Sequence, residues 1–227
     1  MSKLLWLIPV LPLIGFLING TRRLPKTVAG IVGCAGPFAA FGLSVAAFVE
    51  VFRVGMIRHR VFEWISAGDL LIPFGLSVDP LSAVMLLVVT GVGSLIHLYS
   101  IGYMHEDEGF SRFFAYLNLF MFSMLLLVLG DNILLMFVGW EGVGLCSYLL
   151  IGFWYKDLKN ADAGKKAFIT NRVGDFGFLL GIFCLWQMFG TLDFYEMASR
   201  TVDERWGYWA AIFLFIGACG KSAQIPH

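Results

Sequence analysis

Charge is scarce in this sequence. Only 14% of the 227 residues are Asp, Glu, Lys or Arg, whereas 59% are hydrophobic and the mean hydropathy is +0.79. Soluble domains carry about one-quarter charged residues, so the composition indicates an integral membrane protein. The 16 basic and 16 acidic residues cancel, which leaves no overall field to attract nucleic acid. The lipid bilayer is therefore an expected partner and nucleic acid is not.

Clustered cysteines and nucleotide-binding loops are also missing. The four cysteines, Cys34, Cys146, Cys184 and Cys219, lie singly in apolar runs, without the close spacings that bind zinc, an iron–sulfur cluster or haem. No predicted strand leads into a glycine-rich phosphate turn, so direct binding of NADH or flavin is not expected. The sequence predicts no cofactor, no metal and no redox site in this chain.

Long apolar runs dominate what is present. A membrane-spanning helix needs about 20 mainly apolar residues, and seven runs fit that length: residues 4–20, 28–52, 80–103, 112–130, 132–154, 166–189 and 207 onward. The predicted fold class is all-α, a polytopic transmembrane helix bundle of about seven spans, the seventh broken or truncated. Residues 1–79 are assigned to two N-terminal spans and a connecting loop, and residues 80–227 to a second unit.

Local signals place several helix ends. Pro80 after Asp79 predicts a capped start of the third span, and Gly130-Asp131-Asn132 leaves room only for a tight turn between the fourth and fifth. Asp79 and Asp131 are therefore both interpreted as helix caps. Residues 191–206 mix apolar and charged residues and predict an interfacial helix or loop. The tryptophans are expected near span ends, as in an aromatic belt.

Basic residues in the connecting segments predict the orientation. Cytoplasmic loops are enriched in Lys and Arg, and one side of the predicted topology receives more of them. This side has Arg22, Arg23, Lys26, Arg112, Lys156, Lys159, Lys165 and Lys166; the other has Lys3, Arg53, Arg58, Arg60, Arg200 and Arg205. The N-terminus is accordingly predicted on the outer side of a bacterial cytoplasmic membrane or a mitochondrial inner membrane.

Four ionisable residues lie deep inside predicted spans: Glu141, Arg172, Asp175 and Lys221. Each costs about 2.5 to 3.5 kcal/mol at the centre of a membrane helix, and such residues usually face a bundle interior or a wet cavity. Glycines surround Glu141 and allow close approach of a neighbouring helix. Arg172 and Asp175 share one helix face and can pair. The alternative is that this pair only makes a buried arginine tolerable.

Lys221 shortly precedes a proline, Pro226. Because proline has no N–H, the helix is predicted to break within a turn or so of the lysine, and broken helices at membrane depth line cavities or ion sites. A small change in the distance between Lys221 and Glu141 would then load or unload a proton. Two alternatives stay open: a static pair that only holds helices together, and pairing of Glu141 with Arg172 instead.

The stretch from Leu86 to Tyr155, followed by NRVGDFGF and GKSAQIP, resembles the subunit L family of the proton-pumping NADH:quinone oxidoreductase, respiratory complex I. The mitochondrial members of that family are called chain 5. The resemblance is specific from about Ser77 onward, and the first two spans match mainly in hydropathy. The large subunits of multisubunit cation/proton antiporters are similar too, and this likeness gives the family the name antiporter-like.

The resemblance implies a role for each buried charge. Glu141 matches the family's glutamate in the fifth helix, Asp175 its aspartate in the sixth, and Lys221 its lysine in the discontinuous seventh. Together with Arg172 they form the predicted proton relay, and residues 80–227 become the first part of an antiporter-like proton-channel repeat. The implied partners are protons and other complex I membrane subunits, especially an adjacent antiporter-like subunit. Family members continue with many more spans, so a fragment or a truncated product is expected.

Three functional hypotheses follow. The first is a proton-translocating membrane subunit of complex I, driven by redox chemistry in other subunits. The second is a subunit of a multisubunit cation/proton antiporter, which sodium-dependent transport would distinguish. The third is a structural membrane scaffold whose buried charges only specify packing.

Overall fold

The computed structural model describes residues 2–22, 24–68, 70–222 and 224. Arg23 and Pro226, which entered the predictions of orientation and of the broken helix, lie outside the described residues. The helices are α1 (Leu7–Thr21), α2 (Lys26–Val54), α3 (Pro80–Tyr103), α4 (Phe110–Leu129), α5 (Ile133–Ile151), α6 (Leu158–Phe189), α7 (Phe194–Ala198) and α8 (Glu204–Ser222); the strands are β1 (Ile57–Ala67) and β2 (Leu70–Val78).

Helices α1 to α6 are long and apolar enough to cross a membrane, the first together with a short turn that precedes it. The predicted transmembrane helix bundle is thereby confirmed. Helix α8 carries the run predicted as the seventh span; it has 19 residues but is not among the six candidate spans found in the described part of the chain. The predicted interfacial segment forms the short helix α7 and the beginning of α8.

Helix α6 begins earlier than its apolar run. It starts at Leu158, not near Lys166, because the Asp157 side chain caps it by accepting a hydrogen bond from the Lys159 backbone N–H at 3.0 Å. The helix is therefore 32 residues long. Asp175 consequently lies near its middle.

Most helices pack against their neighbours in the chain, and α1 also packs against α4. Helices α1 to α4 form one group in which α1 contacts α2 and α4, and α2 contacts α3; α5 then packs on α4, α6 on α5, and α8 along α6. One hydrophobic core draws on residues from both sides of position 79, among them Leu5, Ala47, Val51, Leu86 and Leu125. The division of the chain at residue 79 stays a prediction.

A proline inside α2 is accommodated by a neighbouring helix. Pro37 lacks the N–H that would bond to the carbonyl of Gly33 one turn earlier. Asn118 on α4, fully buried, donates its Nδ2 to that carbonyl at 3.0 Å and to the Phe114 carbonyl of its own helix at 2.9 Å. A side chain from α4 thus satisfies an acceptor that the proline left open.

The connection between α2 and α3 is a β-hairpin, whereas the sequence analysis expected only a loop. Strands β1 and β2 pair antiparallel from Ile57 opposite Val78 to Ala67 opposite Leu70. Gly68 in the turn has a φ of +60°, which glycine adopts without strain. Directly after β2, Asp79 forms a capping box with the first turn of α3, so its predicted capping role is confirmed.

Asp131 is not a helix cap, and that prediction was wrong. Asn132 caps α5 instead, its side chain accepting a hydrogen bond from the Leu135 N–H at 2.9 Å. Asp131 is fully buried beneath the hairpin. Its Oδ2 accepts a hydrogen bond from Nε of Arg58 at 3.0 Å and lies 2.9 Å from Nη2 in an ion pair. Its backbone N–H bonds to the carbonyl of Gly75 in β2 at 3.1 Å. The hairpin therefore determines the role of this aspartate.

A second aspartate completes the cluster. Asp193 at the start of α7 pairs with Arg58 and lies 3.7 Å from Arg60 Nη2. Although burial lowers the pKa of Arg58, hydrogen bonds to Asp193 and Asp131 outweigh it and raise that pKa above its ordinary value. These four residues, the Arg58 cluster, join the hairpin, the α4–α5 turn and the α6–α8 connection on one side of the bundle, the hairpin side.

Glycines bring α6 and α8 into close contact. A Cβ added at Gly174 would lie 2.8 Å from the Cα of Gly220, and one added at Gly217 would lie 2.8 Å from the Cβ of Phe178. Close backbone approach of this kind is how small residues promote packing of membrane helices. Asp175 directly follows the first of these glycines, and Lys221 directly follows Gly220, so this contact sets the positions of both charges.

Candidate functional site

Glu141 on α5 forms an ion pair with Arg172 on α6, through Oε2 and Nη1. Their side chains are 27% and 35% exposed, respectively, so neither charge is sealed off from the edge of the bundle. Of the two partners left open by the sequence, Arg172 is the one that contacts Glu141.

The glycines around Glu141 face neighbouring groups. An added Cβ would lie 2.8 Å from the Ser123 carbonyl oxygen at Gly139, and 2.5 Å from Ser123 Oγ at Gly142. At Gly144 it would lie 2.5 Å from Nζ of Lys221. The predicted close approach around Glu141 is therefore confirmed, with α4 on one side of α5 and the Lys221 side chain on the other.

Asp175 is buried, with 2% exposure, and is held by two neighbours. Its Oδ1 accepts a hydrogen bond from Nε1 of Trp140 at 2.6 Å, and its Oδ2 lies 3.6 Å from Nη2 of Arg172. The predicted pairing of Arg172 with Asp175 is thus confirmed. The Arg172 guanidinium also lies 4.6 Å from the centroid of the Phe168 ring, a cation–π distance.

Trp140 is a site residue that the sequence analysis missed. It was assigned with the other tryptophans to span ends, but it lies inside α5, beside Glu141. Its indole ring packs 5.1 Å from Phe178 and 5.6 Å from Nζ of Lys221. The available signal was its position, because a tryptophan far from both helix ends needs a buried partner for its N–H.

Lys221 lies at the same level but is not paired with Glu141. Its Nζ is buried and has no hydrogen-bond partner among the described residues. The charges that act on it are those of Asp175 and Arg172, and a Cβ at Gly144 would lie within 3.3 Å of both Nζ and Arg172 Nη2. The two cations therefore converge beside Gly144, one turn along α5 from Glu141.

The four charges form a row across three helices, Glu141 on α5, Arg172 and Asp175 on α6, and Lys221 on α8. Arginine does not deprotonate in proteins, whereas the carboxylates and the amine can each exchange a proton. Three buried polar atoms of this row have no hydrogen-bond partner among the described residues: Arg172 Nε, Asp175 Oδ2 and Lys221 Nζ. Buried groups left without partners require water or a rearrangement that supplies one, so the row is suited to proton exchange.

A bundle of membrane helices with a row of acids and bases across three of them fits an antiporter-like membrane subunit. Residues 64–114 match the family model described as NADH-ubiquinone oxidoreductase (complex I), chain 5 N-terminus. Residues 130–227 match the model described as NADH:quinone oxidoreductase/Mrp antiporter, TM. The chain belongs to the antiporter-like family that these models describe, which comprises membrane subunits of complex I and of Mrp antiporters.

The particular relatives are curated proteins called NADH-quinone oxidoreductase subunit L. Over 97% of its length the chain is 48% identical to that of Mycobacterium tuberculosis, and over 96% it is 47% identical to that of Escherichia coli. It is 42% identical over 99% of its length to NAD(P)H-quinone oxidoreductase chain 5 of Synechocystis. The chain spans only 36%, 37% and 35% of these relatives, respectively.

Two solved structures share the fold. The Mrp complex from Dietzia has a TM-score of 0.78 at 24% identity, and the match covers 96% of this chain and 24% of that one. The membrane-bound sulfane sulfur reductase, an archaeal respiratory membrane complex, has a TM-score of 0.77 at 17% identity, over 99% of this chain and 45% of that one. At these identities the likeness concerns the fold alone.

Proposed function

We propose that this chain is part of a proton-translocating membrane subunit of NADH:quinone oxidoreductase, complex I. Protons move through Glu141, Asp175 and Lys221, and redox chemistry in other subunits drives the movement. The observation that carries the proposal is the row of acids and bases on α5, α6 and α8. The names of the relatives supply the complex, and adjacent antiporter-like subunits are the proposed partners.

Arg172 is assigned a holding role because it cannot give up its proton. It keeps Glu141 in place as a carboxylate and also faces Asp175. The amine of Lys221, which has no hydrogen-bond partner among the described residues, is the cation free to move toward Glu141. When the Lys221 amine takes the place of the Arg172 guanidinium beside Glu141, the carboxylate gains a partner whose proton can be transferred. This change of partner is the proposed proton-loading step.

Substitutions in the assembled complex test the relay. In Glu141→Gln and in Lys221→Ala, we expect proton pumping to fall by about an order of magnitude or more, because positioned proton-transfer groups contribute at least about 100-fold to such steps. Pumping is measured as quenching of a pH-sensitive dye in membrane vesicles during NADH oxidation. Coupled NADH:quinone activity is expected to fall with it.

Asp162→Asn provides the matched control, because Asp162 lies on α6 with its side chain 72% exposed and far from the row of charges. Its pumping is expected to equal that of the unmodified protein. Normal pumping in both Glu141→Gln and Lys221→Ala would contradict the relay. Normal assembly and activity in the combined Glu141→Leu, Lys221→Leu variant would favour the structural-scaffold hypothesis instead.

A cation/proton antiporter subunit is the second candidate, favoured by the family model over residues 130–227, whose description also covers the Mrp antiporter. The two candidates differ in their driving force. A complex I subunit pumps protons when NADH is oxidised, whereas an antiporter moves them when a sodium gradient is applied. Sodium-driven proton movement without NADH, lost in Glu141→Gln, would establish the antiporter.

The orientation is proposed with the N-terminus on the outer side, which places the hairpin outside and the α5–α6 connection inside. All four native cysteines are buried, so background labelling by a membrane-impermeant maleimide is low. Ser66→Cys in β1 is expected to react in intact cells. Lys159→Cys at the start of α6 is expected to react only after permeabilisation, and the reverse pattern would invert the topology.

A further inference from the structure

A cavity of about 150 Å³ lies on the side of the bundle opposite the hairpin, between α4, the end of α5 and the first turns of α6. Its polar lining consists of Arg112, Lys165, Tyr116, Tyr148 and Tyr155, and none of the described residues that line it is acidic. The lining therefore combines two cationic side chains with three phenol hydroxyls.

Arg112 has hydrogen-bond donors to spare. Its one protein hydrogen bond within the described residues is long, 3.4 Å from Nη2 to the Phe153 carbonyl, and its buried Nε has no partner there. The rings of Phe153 and Tyr155 lie 4.6 and 5.3 Å from the guanidinium carbon and fix its plane. A guanidinium offers five N–H donors in a planar fork, so most of its donors remain available to a ligand.

The neighbouring carboxylates lie outside the cavity. Asp162 does not line it, and an adjacent pocket that shares Arg112 is lined by Glu106, Asp107, Glu108 and Asp157. Asp107 acts on Arg112 electrostatically, but these two described residues form no ion pair. The Asp107 oxygens accept hydrogen bonds from Trp154 Nε1 at 2.8 Å and from the Gly109 N–H at 2.6 Å. Asp162 lies 3.5 Å from Lys165, but both side chains are largely exposed, and such surface pairs are weak. The charged residues that line the cavity itself are therefore both basic, Arg112 and Lys165.

The level of the cavity in the membrane indicates which ligand it binds. Phe153, Trp154 and Tyr155 follow the end of α5, where aromatic residues mark the level of the lipid headgroups. Basic pockets between membrane helices at that level bind anionic headgroups, and the fork of an arginine fits two phosphate oxygens. We propose that this cavity binds the phosphate group of an anionic membrane lipid through Arg112 and Lys165.

Mass spectrometry of the intact chain, released from detergent, tests the proposal. Phosphatidylglycerol and the zwitterionic phosphatidylcholine are titrated separately, and the bound fraction gives an apparent Kd for each. In Arg112→Gln the affinity for phosphatidylglycerol is expected to fall about fivefold, as does that of Lys165→Gln, the loss that follows from removing one basic residue at the membrane surface. Affinity for phosphatidylcholine is expected to change little.

Lys159→Gln is the control, because Lys159 is an exposed lysine on the same side of the bundle that does not line the cavity. It is expected to bind phosphatidylglycerol as the unmodified chain does. An equal loss in the control, or no loss in both Arg112→Gln and Lys165→Gln, would overturn the proposal. Inorganic phosphate at constant ionic strength separates the two sources of the ligand: retention of the lipid supports the proposal, and its displacement would identify a free phosphate site instead.

Discussion

Arg58→Ala is expected to destabilise the protein through the two carboxylates that it leaves behind. Asp131 is fully buried and Asp193 is 7% exposed, whereas the Arg58 side chain is 24% exposed. Removing one partner of a buried ion pair costs about 3 to 5 kcal/mol, and the partial exposure of Arg58 places the effect near the lower value, about 3 kcal/mol. For a chain of this size each kcal/mol lowers Tm by about 2 to 4 °C, so the expected decrease is about 6 to 12 °C.

The reactivity of the buried cysteines provides an assay of thermal unfolding. All four are free and buried, so a dye that becomes fluorescent on reacting with thiols reports their exposure as the detergent-solubilised protein is heated. Arg205→Ala is the control, because Arg205 is exposed on the same side of the bundle and surface substitutions usually change stability by less than about 0.5 kcal/mol. Its Tm is expected to match that of the unmodified protein.

A double variant tests the physical reason. If the destabilisation comes from unpaired buried charge, adding Asp131→Asn to Arg58→Ala removes one of those charges and should recover about 1 kcal/mol or more. The asparagine keeps the oxygen that accepts from Nδ2 of Asn132 at 2.9 Å. A double variant no more stable than Arg58→Ala would refute the reasoning, as would a decrease of less than about 2 °C in Arg58→Ala itself.

Three further predictions concern stability. The first two use the same assay, and the third uses loss of the circular dichroism signal on heating, because thiols react too slowly with the dye at low pH. Gly174→Val places side-chain atoms against the backbone of α8, where even a Cβ would lie 2.8 Å away, so a Tm decrease equivalent to about 1 to 3 kcal/mol is expected; an unchanged Tm would contradict the close contact. Asn118→Leu leaves the Gly33 carbonyl without its 3.0 Å donor and should cost about 1 to 3 kcal/mol; equal stability would show that another donor replaces it. The hydrogen bond from Trp154 lowers the pKa of Asp107, so the stability that Asp107 contributes is present above its unfolded pKa of about 3.9 and is lost as the pH falls through the lower folded value; the Tm advantage over Asp107→Asn should shrink below about pH 4, and an advantage independent of pH would contradict this.

The spans were predictable because the bilayer imposes a simple requirement. A helix that crosses it needs a long apolar run, and the predicted third and fifth runs differ from α3 and α5 by at most a few residues. The start of α3 was predictable for a similar reason, since the capping box at Asp79 uses only neighbouring residues. Local signals of this kind can be read without knowing the tertiary structure.

Asp131 shows where local signals fail. An aspartate in a tight turn before a helix fits a capping role, but Asn132 stands beside it and takes that role. The partner that decides the function of Asp131 is Arg58, separated from it by 73 positions in the sequence. That partner becomes visible only when the hairpin is known, and the hairpin was missed although Val61, Phe62 and Trp64 belong to residue types that favour strands.

The candidate site, too, was predictable only in part from the sequence. Depth in the membrane identified Glu141, Arg172, Asp175 and Lys221, because a charge within an apolar run is costly wherever its partner lies. Depth does not select the partner, and two cations were equally available to Glu141. The ion pair with Arg172 follows from the packing of α6 on α5, which no spacing in the sequence encodes.

The side chains in the row of charges are not restrained alike. The start of α5 and the connection after α6 are both tied to the hairpin through the Arg58 cluster, so Glu141 and Arg172 lie on helices that are joined at one end. Lys221 lies on α8, whose backbone is held close to α6 by glycines, but its amine has no hydrogen-bond partner among the described residues. A change of partner at Glu141 therefore requires less disruption at Lys221 than at Arg172. Moving Arg172 breaks two ion pairs, whereas moving Lys221 gives up a contact with the Trp140 ring at 5.6 Å and breaks no hydrogen bond within the described part of the chain.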